Sequence, residues 1–423
     1  MKPIKKIFAY EILDSRGYPT IEARLELENC QNIITSIPSG TSLSKYEASE
    51  LRDNVAERFN GMGVTQSIYY INELIGPKLI GVSPSKQLEI DNWLIKADGT
   101  KNKSKLGANT ILAISQLVAK AGAIENKTPL FRYLNILFEK ISKIKTSIEK
   151  IPTPIFSVIN GGKHANNNLD FQEFEVIPSS SLSFSDSLQQ ISEIFYELKK
   201  VLIFRHANIS VGEEGGFTPN FASNLDGLEI LTETISRKKL KPGIDVFLGI
   251  DIAASHFYQN GRYQLREKAQ AMRLNDYLNF IEKIANNYSL LMLEDPLSED
   301  DWDGWKNLYQ KIKKEIYLVG DDFLGSNKER LLKAIKEKVC SSIVIKPNQV
   351  GTITETLEVA DLAKKNEFSI IVSHRSSETN DDFIADLSVA LQADFVKFGA
   401  PSRGERVAKY NRLWQIERQE KLG

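Results

Sequence analysis

The stretch Ser341-Ser-Ile-Val-Ile-Lys-Pro-Asn-Gln-Val-Gly-Thr352 contains a short apolar run that stops at a lysine. Residues 343–345 are all β-branched, which is typical of a strand buried on both faces. Pro347 follows Lys346, and because proline cannot donate a hydrogen bond to a neighbouring strand, the strand should end there. Taken alone, Lys346 would be interpreted as a strand-end lysine whose ammonium reaches solvent.

Other predicted strands also end on a charged or polar side chain. Those strand ends are Asp251, Glu294, Asp321, His374 and Lys397. From Glu294 onward, with Lys346 included, successive ends lie 27, 25, 28 and 23 residues apart, which leaves room for a strand and a covering helix. Amphipathic segments predict those helices at Lys328–Lys338, Thr352–Lys365 and Asp382–Leu391. The repeat predicts a (β/α) barrel whose strand ends converge on one face, where chemistry is done.

Composition restricts the class of protein. A chain of 423 residues with 42% apolar and 26% charged residues is expected to form two globular domains. Its net charge of −1 gives no general electrostatic footprint for nucleic acid or for an anionic membrane. Cys30 and Cys340 are its only cysteines, so a disulfide framework is excluded, and no segment has the pattern of a signal peptide or a membrane helix. The sequence predicts a cytoplasmic protein.

The first domain is predicted over residues 1–134. Its strands are expected at Ile7–Leu13, Thr20–Glu28 and Ile33–Ile37, and its helices at Val64–Ile75, Ser85–Ile95 and Gly107–Ile124. Pro38–Ser44 is a loop of small residues, here called the lid, for which composition alone favours a plain surface connection over a mobile segment. Strands followed by helices predict an α+β fold for this domain.

Residues 135–150 are predicted to join this domain to a barrel domain over residues 151–423. Apolar residues recur there at helical spacing, at Leu137, Ile141, Ile144 and Ile148. The spacing predicts a short amphipathic helix packed on the barrel, with a partner-binding helix as the alternative.

Three of the strand-end residues, Asp251, Glu294 and Asp321, are carboxylates. Held close together, they would repel one another unless a cation lay between them. Magnesium prefers a few protein carboxylates with water and substrate oxygens, whereas zinc would call for histidine or cysteine at this spacing. The alternative for any one of them is an ordinary salt-bridged acid.

The remaining polar residues suit the chemistry of a phosphorylated acid. Lys346, near bound cations and a second lysine, could serve as a neutral base. Arg375 offers a fork for phosphate, Ser376 a hydroxyl and Lys397 a point charge. With Glu214 and Glu173 as proton donors on other loops, the set indicates removal of a proton α to a carboxylate and loss of a β-hydroxyl.

The chain resembles the enolase family along nearly its whole length. The stretches that carry the resemblance are Asp14–Thr20, Pro38–Asp53, Asp98–Ala108, Val158–Glu173, Val211–Asn220, Asp251–Phe257, Leu293–Trp305, Gly320–Phe323, Ile345–Thr352, Val372–Asp386 and Lys397–Tyr410. The resemblance implies an enolase-type (β/α)8 barrel preceded by a smaller α+β domain.

The resemblance also implies a role for each matching residue. Lys346 matches the base and Glu214 the acid, assisted by Glu173 and His164. The implied metal ligands are Asp251, Glu294 and Asp321 for a first magnesium ion and Ser42, in the lid, for a second. The implied substrate contacts are Arg375, Ser376, His374, Lys397, Gln172 and Gly40.

The implied activity is magnesium-dependent dehydration of 2-phosphoglycerate to phosphoenolpyruvate, by a homodimer that binds no nucleic acid or membrane. One alternative is a dehydratase acting on a phosphonate or other acid analogue, and another is a binding or structural protein that has lost catalysis. Several residues depart from the usual family pattern near the site: Leu43, Ser44, Glu213, His256, Ser377 and Phe398. Others depart where subunits of the family pair: Tyr10, Tyr18, Gln415 and Arg418.

Overall fold

The computed structural model describes residues 3–28, 31–40 and 44–420. The predictions for Ser42 and Leu43 therefore lie outside the described residues, as does Cys30. Within the described ranges, no helix is long and apolar enough to cross a membrane.

The strands form a small sheet, a barrel and a short hairpin. In chain order they are β1 (Ile4–Leu13), β2 (Pro19–Leu27), β3 (Asn32–Ser36), β4 (Thr153–Asn160), β5 (Glu173–Pro178), β6 (Val246–Asp251), β7 (Tyr258–Gln259), β8 (Arg262–Tyr263), β9 (Leu290–Glu294), β10 (Tyr317–Gly320), β11 (Ser342–Ile345), β12 (Ser369–Ser373) and β13 (Phe395–Lys397).

The helices surround these sheets. In chain order they are α1 (Thr65–Tyr69), α2 (Gly76–Leu79), α3 (Gln87–Asp98), α4 (Ala108–Glu125), α5 (Leu130–Ser142), α6 (Phe184–Phe204), α7 (Leu225–Arg237), α8 (Leu274–Asn287), α9 (Trp302–Lys311), α10 (Lys328–Glu337), α11 (Pro347–Val350), α12 (Ile353–Lys365), α13 (Phe383–Ala390) and α14 (Gly404–Glu420). A π-helical segment, Tyr70–Ile75, joins α1 to α2.

The N-terminal part is an antiparallel sheet packed on helices. Strands β1, β2 and β3 pair in that order, and on β2 the buried residues Ile21, Ala23 and Leu25 alternate with partly exposed ones. This period of two gives the sheet one apolar face, and α4, which is buried over most of its length, packs against β2 and β3. The α+β arrangement agrees with the sequence prediction.

The barrel closes in the order β10-β11-β12-β13-β4-β5-β6-β9. Most neighbours are parallel, but β5 runs antiparallel to both β4 and β6, which the regular βα repeat did not predict. The connection between β4 and β5 holds one short 3₁₀ turn, Gly162–His164, and an antiparallel neighbour needs no longer crossover. As a result the first residue of β5, and not its last, lies at the end of the barrel where the parallel strands finish. We call this end the mouth.

An apolar floor lies inside the barrel below the mouth. It is a separate buried cluster with one residue from each of seven strands, namely Ile155, Ile177, Met292, Val319, Val344, Ile371 and Phe395. Because side chains alternate along a strand, residues two positions further on share the same face: Met292 is followed by Glu294, Val319 by Asp321, and Val344 by Lys346. The polar side chains of the mouth therefore stand on a packed apolar layer.

The segment between the two parts is helical only in its first portion. Helix α5 ends at Ser142, and Lys143 follows in the left-handed conformation with a φ of 63°, which closes a helix. Ile144 is largely exposed. The expected helix over residues 135–150 is therefore wrong beyond Ser142, because its apolar spacing continued past the point where the backbone turns. The division of the chain into domains at residue 134 stays a prediction.

Asp381 connects the barrel to the small sheet. Its Oδ2 accepts hydrogen bonds from Thr35 Oγ1 at 2.9 Å and from the Ser36 amide at 3.0 Å, and it lies 2.7 Å from Lys120 Nζ. Burial opposes the charge of Asp381, but Lys120 and the hydrogen bonds outweigh burial and hold the pKa of this carboxyl below its usual value. A lowered carboxyl pKa stabilises the fold at neutral pH, and that contribution is lost as the pH falls through the folded-state pKa.

We expect Asp381→Asn to lower the free energy of unfolding at pH 7 by about 1–3 kcal/mol, because an amide cannot accept all three donors. The difference from the parent chain should begin to shrink below about pH 4, where the carboxyl is protonated in the unfolded parent chain, and should be lost as the pH falls through the lowered folded-state pKa. Urea unfolding at pH 7 and pH 3.5 measures both values. The control is Glu89→Gln, which breaks an exposed pair with Lys86 and should change stability by less than about 0.5 kcal/mol. Equal stabilities of Asp381→Asn and the parent at pH 7 would contradict this reading.

Candidate active site

Strand register brings the strand-end carboxylates together at the mouth. Asp251, the last residue of β6, is paired with Glu294 of β9 on one side and with Glu173 of β5 on the other. Lys346 directly follows β11, and Lys397 is the last residue of β13. The sequence pattern predicted this convergence for the parallel strands, and the reversed direction of β5 adds Glu173 to it.

A small cavity opens among these residues. Eleven of the predicted site residues line it: His164, Gln172, Glu173, Glu214, Asp251, Asp321, Lys346, His374, Arg375, Ser376 and Lys397. Glu294 lies beside the cavity, with its Oε1 2.7 Å from Lys397 Nζ, and Gly40 packs against Arg375. The structure therefore brings together the predicted site residues that it describes, and only Ser42 falls outside its described ranges.

The carboxylates Asp251, Glu294 and Asp321 form a group that could hold a cation. One oxygen from each lies within 4.8 Å of the others. Oδ1 of Asp251 and Oδ1 of Asp321 are buried and have no hydrogen-bond partner among the described residues. Burial, opposed by Lys397, raises the pKa of Asp251 and also raises that of Glu294 well above its usual range. These buried Oδ1 atoms lack hydrogen-bond partners in the described part of the chain, and burial disfavours their negative charge. Both properties suit a hard divalent cation as the missing partner.

Lys346 forms a short ion pair at one side of this group. Its Nζ lies 2.5 Å from Asp321 Oδ2. Burial alone would lower the pKa of the ammonium, but Asp321 outweighs burial and raises it. The predicted neutral lysine is therefore not found when no cation is bound to Asp321. The nearby Asp321 carboxylate then favours the protonated form of Lys346.

Lys397 lies among four buried carboxylates. Its Nζ is 2.7 Å from Glu294, 3.4 Å from Glu173 and 3.6 Å from both Glu175 and Asp251. These anions outweigh burial and raise the pKa of Lys397 well above its usual range. Lys397 is thus held as a fixed positive charge at the base of the cavity.

Two carboxyls and two histidines face Lys346 from the other side of the cavity. Glu214 Oε1 lies 3.2 Å from His164 Nδ1 and 3.4 Å from His374 Nε2, and Glu173 joins His164 and Glu214 in a second close group. Burial and the charge of Glu214 raise the pKa of Glu173 well above its usual range. Burial also opposes the charge of Glu214, but His164 and Arg406 outweigh it and hold that pKa well below its usual range. Two neighbouring carboxyls with pKa values pushed apart hold one proton between them.

The tautomer of His374 follows from Arg406. Arg406 Nη1 lies 2.5 Å from His374 Nδ1 and must donate to it, since a guanidinium has no acceptor. The ring proton is then on Nε2, which faces Glu214. Burial, opposed by Glu214, lowers the pKa of His374 well below its usual range, so the neutral ring is the relevant form.

Arg375 connects the barrel to the N-terminal part of the chain. Its Nη1 donates to Glu47 Oε2 at 2.8 Å and its Nη2 to Glu47 Oε1 at 3.3 Å. A Cβ at Gly40 would lie 1.6 Å from Nη2 of Arg375, so only glycine leaves room for the guanidinium there. Ser39 and Ser377 form an antiparallel bridge beside it. The guanidinium that the sequence predicts as a phosphate contact is thus held in place by both parts of the chain.

Sequence reasoning did not single out Glu47, Arg406 or Glu175. Arg406 is fully buried and donates to the carbonyl oxygens of Arg375 and Ser376, but a lone arginine in a helix gives no sign of this. Glu47 likewise looks like an ordinary loop acid. Glu175 could have been noticed, because it interrupts the apolar run of a predicted strand.

Two departures from the family pattern contact the site or its rim. Ser44 Oγ donates to Glu299 Oε2 at 3.0 Å and to the Asp322 carbonyl at 2.8 Å. His256 Nε2 lies 3.1 Å from Gln172 Oε1, and burial lowers the pKa of His256 to about 3. Both side chains form new polar contacts at the edge of the cavity and leave its charged residues in place.

The chain is similar to known proteins along nearly its whole length. Residues 4–134 match the family model described as "Enolase, N-terminal domain", and residues 148–423 match "Enolase, C-terminal TIM barrel domain". A protein of Ehrlichia canis (strain Jake) named "Enolase" is 43% identical over 416 residues, which cover 98% of this chain and 96% of that protein. These matches confirm the fold class and the resemblance predicted from the sequence. Both parts of the chain match one family over nearly its whole length, and the chain belongs to the enolase family.

Proposed function

We propose that the chain catalyses the reversible dehydration of 2-phosphoglycerate to phosphoenolpyruvate, with two magnesium ions in each site and in the cytoplasm. The observation that carries this proposal is the placement of Lys346 and the Glu173–Glu214 pair in one cavity, with the triad Asp251, Glu294 and Asp321 beside them. Proton removal and hydroxyl loss need a base and an acid that do not neutralise each other.

The triad would hold the first magnesium ion. A cation there would polarise the substrate carboxylate and would neutralise the anion that keeps Lys346 protonated. Ser42 is the proposed ligand of the second ion, from the family resemblance alone. Lys397, held by Glu294 and Glu173, supplies a positive charge for the same substrate carboxylate.

Lys346 is the proposed base. Lys346 lines the cavity, and the residue is 9% exposed. Its Nζ can therefore reach a bound substrate while it is mostly shielded from water. Burial and the nearby charges of Arg375 and Lys397 each disfavour the ammonium, and with a cation on Asp321 they would no longer be outweighed. Lys346 would then take the proton from the carbon next to the carboxylate.

Glu214 is the proposed acid, and Glu173 supplies its proton. The raised pKa of Glu173 and the lowered pKa of Glu214 support a shared proton that rests on Glu173 until it is needed. His164, 3.2 Å from Glu214, and the neutral ring of His374 orient the pair. The substrate hydroxyl leaves as water when Glu214 passes the proton to it.

Arg375 and Ser376 are the proposed phosphate contacts. The guanidinium is 4% exposed and faces the cavity. Burial opposes the charge of Arg375, but Glu47 outweighs burial and raises its pKa. The arginine therefore stays charged at every working pH and can bind phosphate through two donors.

We expect Lys346→Ala to abolish exchange of the substrate α-proton with solvent, whereas Glu214→Gln should retain exchange and block loss of the hydroxyl. Each step should slow by about 10²–10⁴-fold. Exchange of deuterium into 2-phosphoglycerate, followed by NMR, separates the two effects. Lys365→Ala removes a surface lysine that pairs with Asp361 and should leave both steps unchanged. Near-normal exchange in Lys346→Ala would remove Lys346 from the role of base.

We expect Asp321→Asn to weaken binding of magnesium by at least about tenfold, since even outer partners of metal ligands have effects of that size. Calorimetric titration with magnesium chloride, in the absence of substrate, measures the affinity directly. Asp361→Asn is the control, because it removes a surface carboxylate far from the triad. Unchanged magnesium affinity in Asp321→Asn would mean that this carboxylate is not a ligand.

We also propose that the chain forms a homodimer with an altered interface. The family resemblance implies that subunits pair through the small domain of one and the barrel of the other, with charged residues of the first hairpin in ion pairs. Here Glu22 already binds Arg24 at 2.7 Å, and Arg418 stacks on Trp414 at 3.9 Å, so both charges are used within one subunit. Tyr10 is 48% exposed on β1 and offers aromatic surface instead.

We therefore expect dimer dissociation to depend only weakly on salt, because burial of aromatic surface is not screened by ions. Sedimentation at about 50 mM and about 500 mM sodium chloride measures the dimer fraction under weak and strong screening of charges. A monomer at micromolar concentration would contradict the dimer, and a dimer that salt readily splits would contradict the proposed interface.

A further inference from the structure

Glu175 is a fully buried carboxylate that points into the barrel. It lies on β5 two residues beyond Glu173, on the same face, and is paired with Gly249 of β6. A Cβ at position 249 would lie 2.4 Å from Glu175 Oε2. The glycine on the neighbouring strand therefore provides the space that the carboxylate occupies.

The surroundings of Glu175 provide little compensation for its charge. Across the described part of the chain, neither of its oxygens has a hydrogen-bond partner. Its ion-pair partner is Lys397, at 3.6 Å from Oε1. A buried carboxylate with one cation and no hydrogen bonds destabilises a fold relative to an apolar side chain of similar size, so packing does not explain this residue.

The other carboxylates around Lys397 each have a second role. Glu294 and Asp251 belong to the proposed cation ligands, and Glu173 belongs to the acid pair. Glu175 is the one member of the four that the proposed reaction does not otherwise use. When the ligand oxygens of Glu294 and Asp251 face a cation, Glu175 is the carboxylate that remains wholly available to Lys397.

We propose that Glu175 is a positioning residue that holds the Lys397 ammonium from within the barrel, so that Glu294 and Asp251 are free to bind the cation. The role in substrate binding rests on the proposed function above, since Lys397 is there the contact for the substrate carboxylate. Without Glu175, Lys397 would pair more strongly with Glu294, its nearest anion at 2.7 Å. The lysine would then compete with the cation for that carboxylate.

The test uses Glu175→Gln, which keeps the shape, and Glu175→Met, which replaces the carboxylate with an unbranched apolar side chain. Both should weaken binding of magnesium alone by about tenfold, the effect of one nearby charge in a partly buried site. Calorimetric titration with magnesium chloride at pH 8 measures this, at a pH above the value of about 7 to which burial raises the pKa of Glu175. Glu175→Asp, which keeps the charge, should recover most of the affinity.

Kinetics give a second and separate readout. Both neutral variants should raise the KM for 2-phosphoglycerate by about tenfold and leave kcat within about threefold, because Lys397 contacts the substrate and does not transfer its proton. Asp91→Asn is the matched control: it removes another buried carboxylate, bound to Thr354 and Gln87 away from the cavity, and should leave KM and magnesium affinity unchanged.

Thermal stability separates the proposal from a structural role. We expect Glu175→Met to melt at the same temperature as the parent or higher while it binds magnesium more weakly. Parent-like magnesium affinity and KM in both neutral variants would overturn the proposal, whatever their melting temperatures. If Glu175→Met fails to fold, Glu175→Gln decides. If the unmutated chain does not turn over 2-phosphoglycerate, the proposed function fails, and the magnesium titration still decides the role of Glu175.

Discussion

The structure depends on the cost of placing many carboxylates in one dry barrel mouth. Glu173, Glu175, Asp251, Glu294 and Asp321 are all buried there. Like charges at this density raise one another's pKa values or require cations, and two lysines provide part of the compensation. Positive charge at the mouth is therefore insufficient for its carboxylates, and cations or protons are expected to bind there.

Two kinds of neighbour divide the mouth into regions with different tasks. Near Lys346 and Lys397 the carboxylates are paired with ammonium groups and remain available to a cation. Near His164 and His374 the carboxyls share a proton, and Arg406 fixes the tautomer of the second histidine. One cavity can thus hold both a base and an acid, because the neighbours of each group determine its pKa.

Much of the fold and site was accessible from the sequence, for reasons that particular residues make clear. Asp251, Glu294, Asp321 and Lys346 each follow a β-branched or apolar run, and parallel strands must bring such ends together. The direction of β5 was not accessible, because a six-residue strand has no directional signal and its connection is long enough for either sense. The end of α5 at Ser142, before the left-handed Lys143, was missed because the apolar spacing continued through Ile144. The contacts of Arg406 and Glu47 depend on residues more than thirty and three hundred positions away, which periodicity does not encode.

The pairing of Arg375 with Glu47 makes recognition of phosphate an exchange and not a simple addition. The guanidinium is already satisfied by a carboxylate from the other part of the chain, so an incoming anion must displace that partner or share the arginine with it. A singly charged anion would gain little binding free energy by displacing Glu47 from Arg375. A phosphate ester that also contacts the opposite wall of the cavity would gain more. If Arg375 binds phosphate as proposed, this ion pair would exclude small inorganic ions that cannot displace Glu47, and selectivity would arise before any bond is broken.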